Sequence, residues 1–236
     1  MSFGEKLAYA WELRGLFAES LGISLLIALG AVVIGFIIGV LLAIVRIAPK
    51  TNPVMKALDW FAQLYITVIR GTPTMVQLLI MYSSILVMFK YFNTNLLVPI
   101  IAFGINSGAY MAEIIRSGIN SVDVGQMEAG RSVGLPWVTT MRKIIIPQAI
   151  KVVIPTIFNE VIILVKETSV VSFIALRVGG KQAWDLMGLV SKMATAKPAV
   201  YTTFLYIGAL IYLTIVLLLT VLQKALEKRM KKNERK

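Results

Sequence analysis

The chain has 236 residues, 58% of them hydrophobic, a mean hydropathy of +0.80 and only 15% charged residues, where a soluble domain carries roughly a quarter. It has no Cys and no His, which excludes disulfides, thiol catalysis, Cys/His metal sites and a Ser-His-Asp triad. The net charge of +12 does not point to nucleic acid, because seven of the 24 Lys/Arg lie in the last 13 residues, without the interleaved aromatics of single-strand binders.

The N-terminal stretch MSFGEKLAYAWELRGLFAES is mixed in charge and has no basic start. The apolar run after it is longer than the ~7–15 residues of a signal-peptide core and reads as the first membrane helix. Apolar segments fall at about 21–45, 57–90, 96–119, 147–175 and 199–222, and about 20 apolar residues suffice to cross a bilayer. Arg46, Lys50 and Lys56 follow the first segment, Arg131, Arg142, Lys143 and Lys151 follow the third, and the basic tail follows the fifth. All three sites are expected on the cytoplasmic face.

Parity then requires 57–90 to cross once, with a helix break at Arg70, Gly71, Thr72 and Pro73, where Pro and Gly punctuate the pattern. The expected architecture is an all-α integral membrane protein forming one domain over 1–236. It has about five transmembrane helices, with the N-terminus outside and the C-terminus cytoplasmic. Fourteen Lys/Arg fall inside and seven outside, the latter including Lys90 and four in the loop 177–198. That loop is more basic than an outside loop should be. Two GxxxG stretches, Gly35 to Gly39 and Gly104 to Gly108, read as close packing between helices of one subunit, with a dimer contact as the alternative.

Between the third and fourth segments, about 121–147 is too polar for a span and too ordered for a plain loop. Glu128 to Val133 can form a short helix, for which Gly134 is a left-handed stop. Pro136 suits the first turn of a second helix from Trp137 to Ile146, ending at Pro147. The pattern alone leaves two readings open: a compact cytoplasmic projection, or an amphipathic pair lying on lipid headgroups.

The residues GQMEAGRSVGLPWVTTMRKIIIPQAI resemble the EAA loop of ATP-binding-cassette (ABC) importer permeases, on Glu128, Ala129, Gly134, Ile144 and Pro147. RGTPTMVQ at 70–77, GAYMAEIIRSGINSV at 108–122, PQAIKVVIP at 147–155 and NEVIILVKETSVVSFI at 159–174 are similar to the branch that imports polar amino acids. The resemblance implies that 121–147 is a helix-turn-helix coupling loop, with Glu128, Ala129, Gly134, Leu135, Pro136 and Pro147 facing or shaping a groove on a separate ATPase subunit. One departure is Gly130, where that family commonly has a second Ala, a loss of helix propensity of roughly 1 kcal/mol. Further implied partners are a dimer of ABC ATPase subunits, a second permease copy or related permease, an extracytoplasmic amino-acid-binding protein and a polar amino-acid substrate, all at a bacterial inner membrane. This chain has no GxxxxGK[ST] loop to cradle phosphates. The resemblance therefore places ATP and Mg on the partner ATPase, with no cofactor or metal held here and no nucleic acid.

The fourth segment carries Asn159, Glu160, Lys166 and Glu167. Ionisable groups in a span cost about 2.5–3.5 kcal/mol or more each, so they face protein or water. Asn159 and Lys166, seven apart, share a helical face. Asn159 and Glu160 could accept a substrate ammonium, while Lys166, Thr168 and Ser169 could donate to its carboxylate; the alternative is a charge network bracing the packing. Glu113 and Arg116, three apart, can pair along their helix and are expected to brace the loop. Two other classes remain: a secondary transporter, which would need an ion-coupling site and usually internal repeats, and an intramembrane enzyme using Ser169 with Lys166.

Overall fold

The computed structural model describes residues 1–86 and 95–232. Lys90 and the tail residues Arg235 and Lys236 lie outside the described residues. The helices in chain order are α1 (Phe3–Glu12), α2 (Arg14–Ile47), α3 (Pro53–Arg70), α4 (Thr74–Leu86), α5 (Leu97–Asn120), α6 (Val124–Ser132), α7 (Trp137–Thr140), α8 (Ile146–Glu167), α9 (Leu186–Ala196) and α10 (Pro198–Lys232). A two-residue-strand hairpin, β1 (Arg177–Val178) with β2 (Lys181–Gln182), precedes α9. Among the described residues, four helices are long and apolar enough to cross a membrane: Arg14–Ile47, Leu97–Asn120, Trp137–Phe173 and Pro198–Met230. The pair α3 and α4 makes a fifth if taken as one broken span.

Two elements depart from the sequence expectation. The first helix does not begin near residue 21: α1 starts at Phe3 under a capping box. The Ser2 hydroxyl accepts from the Glu5 amide, and the Glu5 carboxylate accepts from the Ser2 amide, satisfying two donors that a helix start leaves over. The segment 177–198 is not a plain loop. Gly179 and Gly180 both take positive φ, at 58° and 76°, which the type I′ two-residue hairpin turn requires, and α9 follows with Leu186, Leu189 and Val190 fully buried.

The chain divides into two compact units. One comprises Met1–Val33, Thr72–Gly104 and Val161–Thr220. Its core gathers Ile27, Leu78, Phe103, Leu164 and Val171, with a second cluster where Phe17 and Phe204 stack at 5.1 Å beside α9. Asn95 ties the hairpin down: its side chain donates to the Ala175 carbonyl at 2.8 Å and accepts from the Arg177 amide at 2.6 Å.

The other unit comprises Ile34–Gly71, Ile105–Glu160 and Val221–Lys236. Here a Cβ on Gly35 would lie 2.9 Å from Ser107, one on Gly39 would lie 2.6 Å from Met111, and one on Gly108 would lie 2.6 Å from Ile38. The small residues therefore serve contact of α2 with α5 inside one subunit, as close backbone approach in lipid requires. The Tyr65 hydroxyl donates to the Ile105 carbonyl. Asp59 on α3 takes Arg46 at 2.8 Å and Lys50 at 3.2 Å, so two of the expected cytoplasmic cations neutralise a carboxylate of their own chain.

Candidate functional site

The polar element at 121–147 is built around two helix ends. Asp123 caps α6 by accepting from the Gly125 amide at 2.6 Å, so the helix starts at Val124, four residues before the expected Glu128. At its other end Gly134 has φ of +84°. The Gly134 amide donates to the Arg131 carbonyl at 3.0 Å, and the Leu135 amide donates to the Gly130 carbonyl at 3.1 Å. This pair of bonds is the Schellman arrangement, which closes the last carbonyls of a helix around a left-handed residue. The Arg131 guanidinium reinforces it by donating to the Leu135 carbonyl at 3.1 Å.

Pro136 sits one residue outside the next helix, not in its first turn: it is the extended cap at ψ 152°, and α7 begins at Trp137. The expected end at Pro147 is also corrected. α7 passes through a π turn at Met141–Ile145 directly into α8, so one helix runs from Trp137 to Phe173. A proline ring clashes with the carbonyl four residues back in a regular helix. The wider turn lies directly ahead of Pro147, with the Ile146 amide donating to the Met141 carbonyl, and the helix continues through the proline. The second limb of the hairpin is thus the first part of a membrane helix, not a separate piece.

Gly130 is more than a lapse in propensity. It is buried, whereas Glu128 and Ala129 on the same turn are exposed. A Cβ at 130 would come within 2.5 Å of Thr140 Cγ2 and 3.0 Å of its Oγ1. Thr140 is itself fully buried and donates to the Pro136 carbonyl at 3.2 Å. Gly130 lets the two limbs touch. The outward surface of the hairpin carries Glu128, Ala129, Pro136 and the exposed side chains of Val124, Val133 and Val138. Leu135 is half-buried and Pro147 exposed.

Along α8 the sequence-predicted polar residues separate. Asn159 and Lys166 are exposed on one face, as their spacing requires. Glu160 is 5% exposed and its Oε1 accepts from Ser107 Oγ on α5 at 3.0 Å, so Asn159 and Glu160 point in different directions. The polar end of the segment changes helix type: α8 stops at Glu167, and Thr168–Phe173 forms a 3-10 helix. Thr168 is buried with its hydroxyl on the Val165 carbonyl at 2.8 Å, and Ser169 is half-buried. Ser107 was not singled out from sequence; within G-I-N-S-G it reads only as part of a small-residue stripe, and its partner is 53 residues away.

Glu113 and Arg116 do pair, through Arg116 Nη2 and Nε, within one turn of α5. Arg70 closes α3 with its guanidinium 5.2 Å from the Tyr110 ring centroid, in the range of a cation–π contact. The helix ends there as expected: the Gly71 amide donates to the Thr67 carbonyl, and α4 begins after Pro73. Gln77 Nε2 donates to the Thr72 hydroxyl at 2.6 Å across the break.

Residues 31–232 match the family described as "Binding-protein-dependent transport system inner membrane component". The chain is 35% identical over 216 residues to the arginine transport system permease protein ArtQ of Bacillus subtilis, covering 92% of this chain and 93% of that protein. It is 35% identical over 204 residues to a putative glutamine transport system permease protein GlnP of Rickettsia bellii, at 85% and 86% coverage. A structure described as the crystal structure of an amino acid ABC transporter with histidines superposes at a TM-score of 0.82 with 35% identity, covering 97% of this chain and 99% of that one. A MetNI methionine ABC transporter chain shares the fold, at a TM-score of 0.68 and 19% identity. With the capped hairpin joined directly to a membrane helix, these matches place the chain in the binding-protein-dependent transport system inner membrane component family: it is the multi-pass membrane permease subunit of an ABC importer, a transport component.

Proposed function

We propose that this permease carries a polar amino acid into the cytoplasm, driven by a dimer of separate ATPase subunits and supplied by an extracytoplasmic amino-acid-binding protein. The observation that carries the reading is the hairpin at 121–147. Its turn is fixed by two backbone bonds around Gly134, its limbs are held in contact at Gly130 and Thr140, and its second limb is continuous with α8. A projection of that kind transmits displacement because few of its torsions are free to absorb it. Glu128, Ala129, Leu135 and Pro136 form or shape the docking face, and the exposed Val124, Val133 and Val138 give it apolar area. ATP and Mg sit on the ATPase.

The substrate class is supported by the names of the relatives, which are arginine, glutamine and cystine permeases, and by the polarity of α8. Glu160 with Ser107 provides a buried acceptor for an ammonium group. Asn159 and Lys166, with Thr168 and Ser169 beyond them, are the counterpart for a carboxylate or a polar side chain. Two permease copies form the pathway, with N-termini outside and the hairpin cytoplasmic, and Glu113 with Arg116 bracing the end of α5 near the hairpin. In the cycle, ATP binding closes the ATPase pair, the hairpins approach, and the pathway opens outward; hydrolysis returns it inward. The test is uptake into proteoliposomes containing the permease, ATPase and binding protein, screened over the polar amino acids. Uptake that requires ATP inside and is abolished by omitting the ATPase supports the proposal. ATP-driven uptake of none of the polar amino acids, or uptake that needs no binding protein, overturns it.

A further inference from the structure

Away from the hairpin and the polar part of α8, a cavity of about 230 Å³ is lined by the end of the 3-10 helix, the segment leading to α9 and the first turns of α9. Its walls include Ser172, Gln182, Trp184, Asp185, Ser191 and Lys192. Asp185 is 1% exposed. It caps α9, its carboxylate accepting from the Met187 amide at 3.0 Å and the Gly188 amide at 3.2 Å. Two backbone bonds leave part of the acceptor capacity of an ionised carboxylate unused. Burial pushes its carboxyl up to about 7, against the lowering effect of those amides, as expected of a buried charge without a counter-ion.

Lys192 lies seven residues on, roughly 10 Å along the helix axis, but helical side chains lean toward the N-terminus. Its Nζ sits 3.7 Å from the centroid of the Trp184 ring, one residue before Asp185. Among the described residues no Lys192–Asp185 ion pair forms within 4.0 Å. Asp185 and Lys192 thus line one small polar cavity without forming an ion pair. The cavity lies below the roughly 300–1,000 Å³ of sites for drug-sized ligands, so it suits a molecule of few atoms.

We propose that this cavity is a second amino-acid site, binding the main-chain zwitterion of a small α-amino acid with its ammonium on Asp185 and its carboxylate on Lys192. The hydroxyls at the cavity wall complete the ammonium's partners: Ser172 Oγ already donates to the Ser169 carbonyl, which leaves its lone pairs to accept. The site reads groups common to all amino acids, so it does not depend on which amino acid is transported or on the coupling hairpin.

The test uses the purified full-length chain with its ATPase in nanodiscs, without binding protein or ATP, and L-alanine as the probe, with binding read by saturation-transfer NMR. Saturable binding is expected with a Kd on the order of 1 mM, given so few ligand atoms. Propionate and ethylamine, each carrying one half of the recognition, bind at least about tenfold more weakly. Asp185→Asn keeps a good helix cap and Lys192→Met keeps an unbranched stem of similar length without the charge, and each weakens L-alanine at least about tenfold. In the unaltered protein, L-alanine slows acylation of Lys192 relative to the other lysines of the same chain, read by peptide mass spectrometry with reagent in excess over the free amino acid, which needs no variant to fold. Absence of saturable binding, retention of binding in either folded variant, or Lys192 acylation indifferent to L-alanine overturns the site. None of these results bears on ATP-driven uptake, so failure here is distinguishable from failure of the transport reading.

Discussion

Replacing Gly130 by Ala tests whether the hairpin is held by contact between its limbs. On propensity alone the change favours helix α6 by about 1 kcal/mol. The structure opposes it: the new Cβ lies 2.5 Å from Thr140 Cγ2, 3.0 Å from its Oγ1 and 3.3 Å from Ile144 Cδ1. Thr140 is buried and engaged with the Pro136 carbonyl, so turning it aside disturbs that bond. Overpacking of this kind costs about 1–3 kcal/mol, leaving Gly130→Ala between about neutral and about 2 kcal/mol destabilising. In a Thr140→Ala background the two nearest obstructing atoms are gone and only Ile144 Cδ1, the end of a flexible side chain, remains at 3.3 Å, so the same substitution should stabilise α6 by up to about 1 kcal/mol. The quantity that isolates the contact is the interaction energy of the double-mutant cycle, expected at about 1–3 kcal/mol. Hydrogen exchange of the 124–140 amides in nanodiscs measures it as local opening free energy, each 1.4 kcal/mol being tenfold in protection. Additivity within about 0.3–0.5 kcal/mol would refute the limb-to-limb contact.

Gly134→Ala has open space for its methyl but must hold φ near +84°, at a cost of about 1–2 kcal/mol for an L-residue. It should lower the stimulation of ATP hydrolysis by substrate-loaded binding protein, and unchanged stimulation would count against a fixed turn. Glu160→Gln preserves shape and can still accept from Ser107, so the complex should assemble normally while uptake falls by at least about tenfold; wild-type rate and selectivity at normal expression would remove Glu160 from the pathway. Asp185 has a folded-state pKa raised from 3.8 to about 7, so between those values the native state holds more proton than the unfolded chain and stability falls as pH rises. The contribution is bounded at about 4 kcal/mol. The Tm difference between Asp185→Asn and wild type should therefore widen in the variant's favour from about pH 4 to pH 7, and a flat difference would disprove the shift.

Much of the fold was legible because lipid imposes simple rules. Apolar length sets the spans, and the helix end at Arg70 with α4 beginning after Pro73 follows from residues that cannot continue a helix. The turn at Gly134 was legible for the same reason, since glycine followed by Leu-Pro leaves few other local conformations. Three features were missed although a local signal was present. The Ser-x-x-Glu box at Ser2 and Glu5 marks α1, Gly179-Gly180 marks a two-residue hairpin, and Asp185 followed by LMGLVSKM marks a capped apolar helix. Each lies outside the apolar blocks of about 20 residues that mark the spans.

The sequence by itself determined the class of molecule, the spans and the existence of a polar element between two of them, because these depend on composition and on neighbours within a few residues. Tertiary structure decided what those residues do. Gly130 became a contact point only when Thr140 was brought against it, and Pro147, which reads as a helix end, lies just past a π turn inside a continuous helix. Glu160 and Asn159, adjacent in sequence, were sent to different surroundings by the 100° step of the helix. Asp185 and Lys192, seven apart, share a face by spacing, but the seat of the Lys192 ammonium over Trp184 was set by packing.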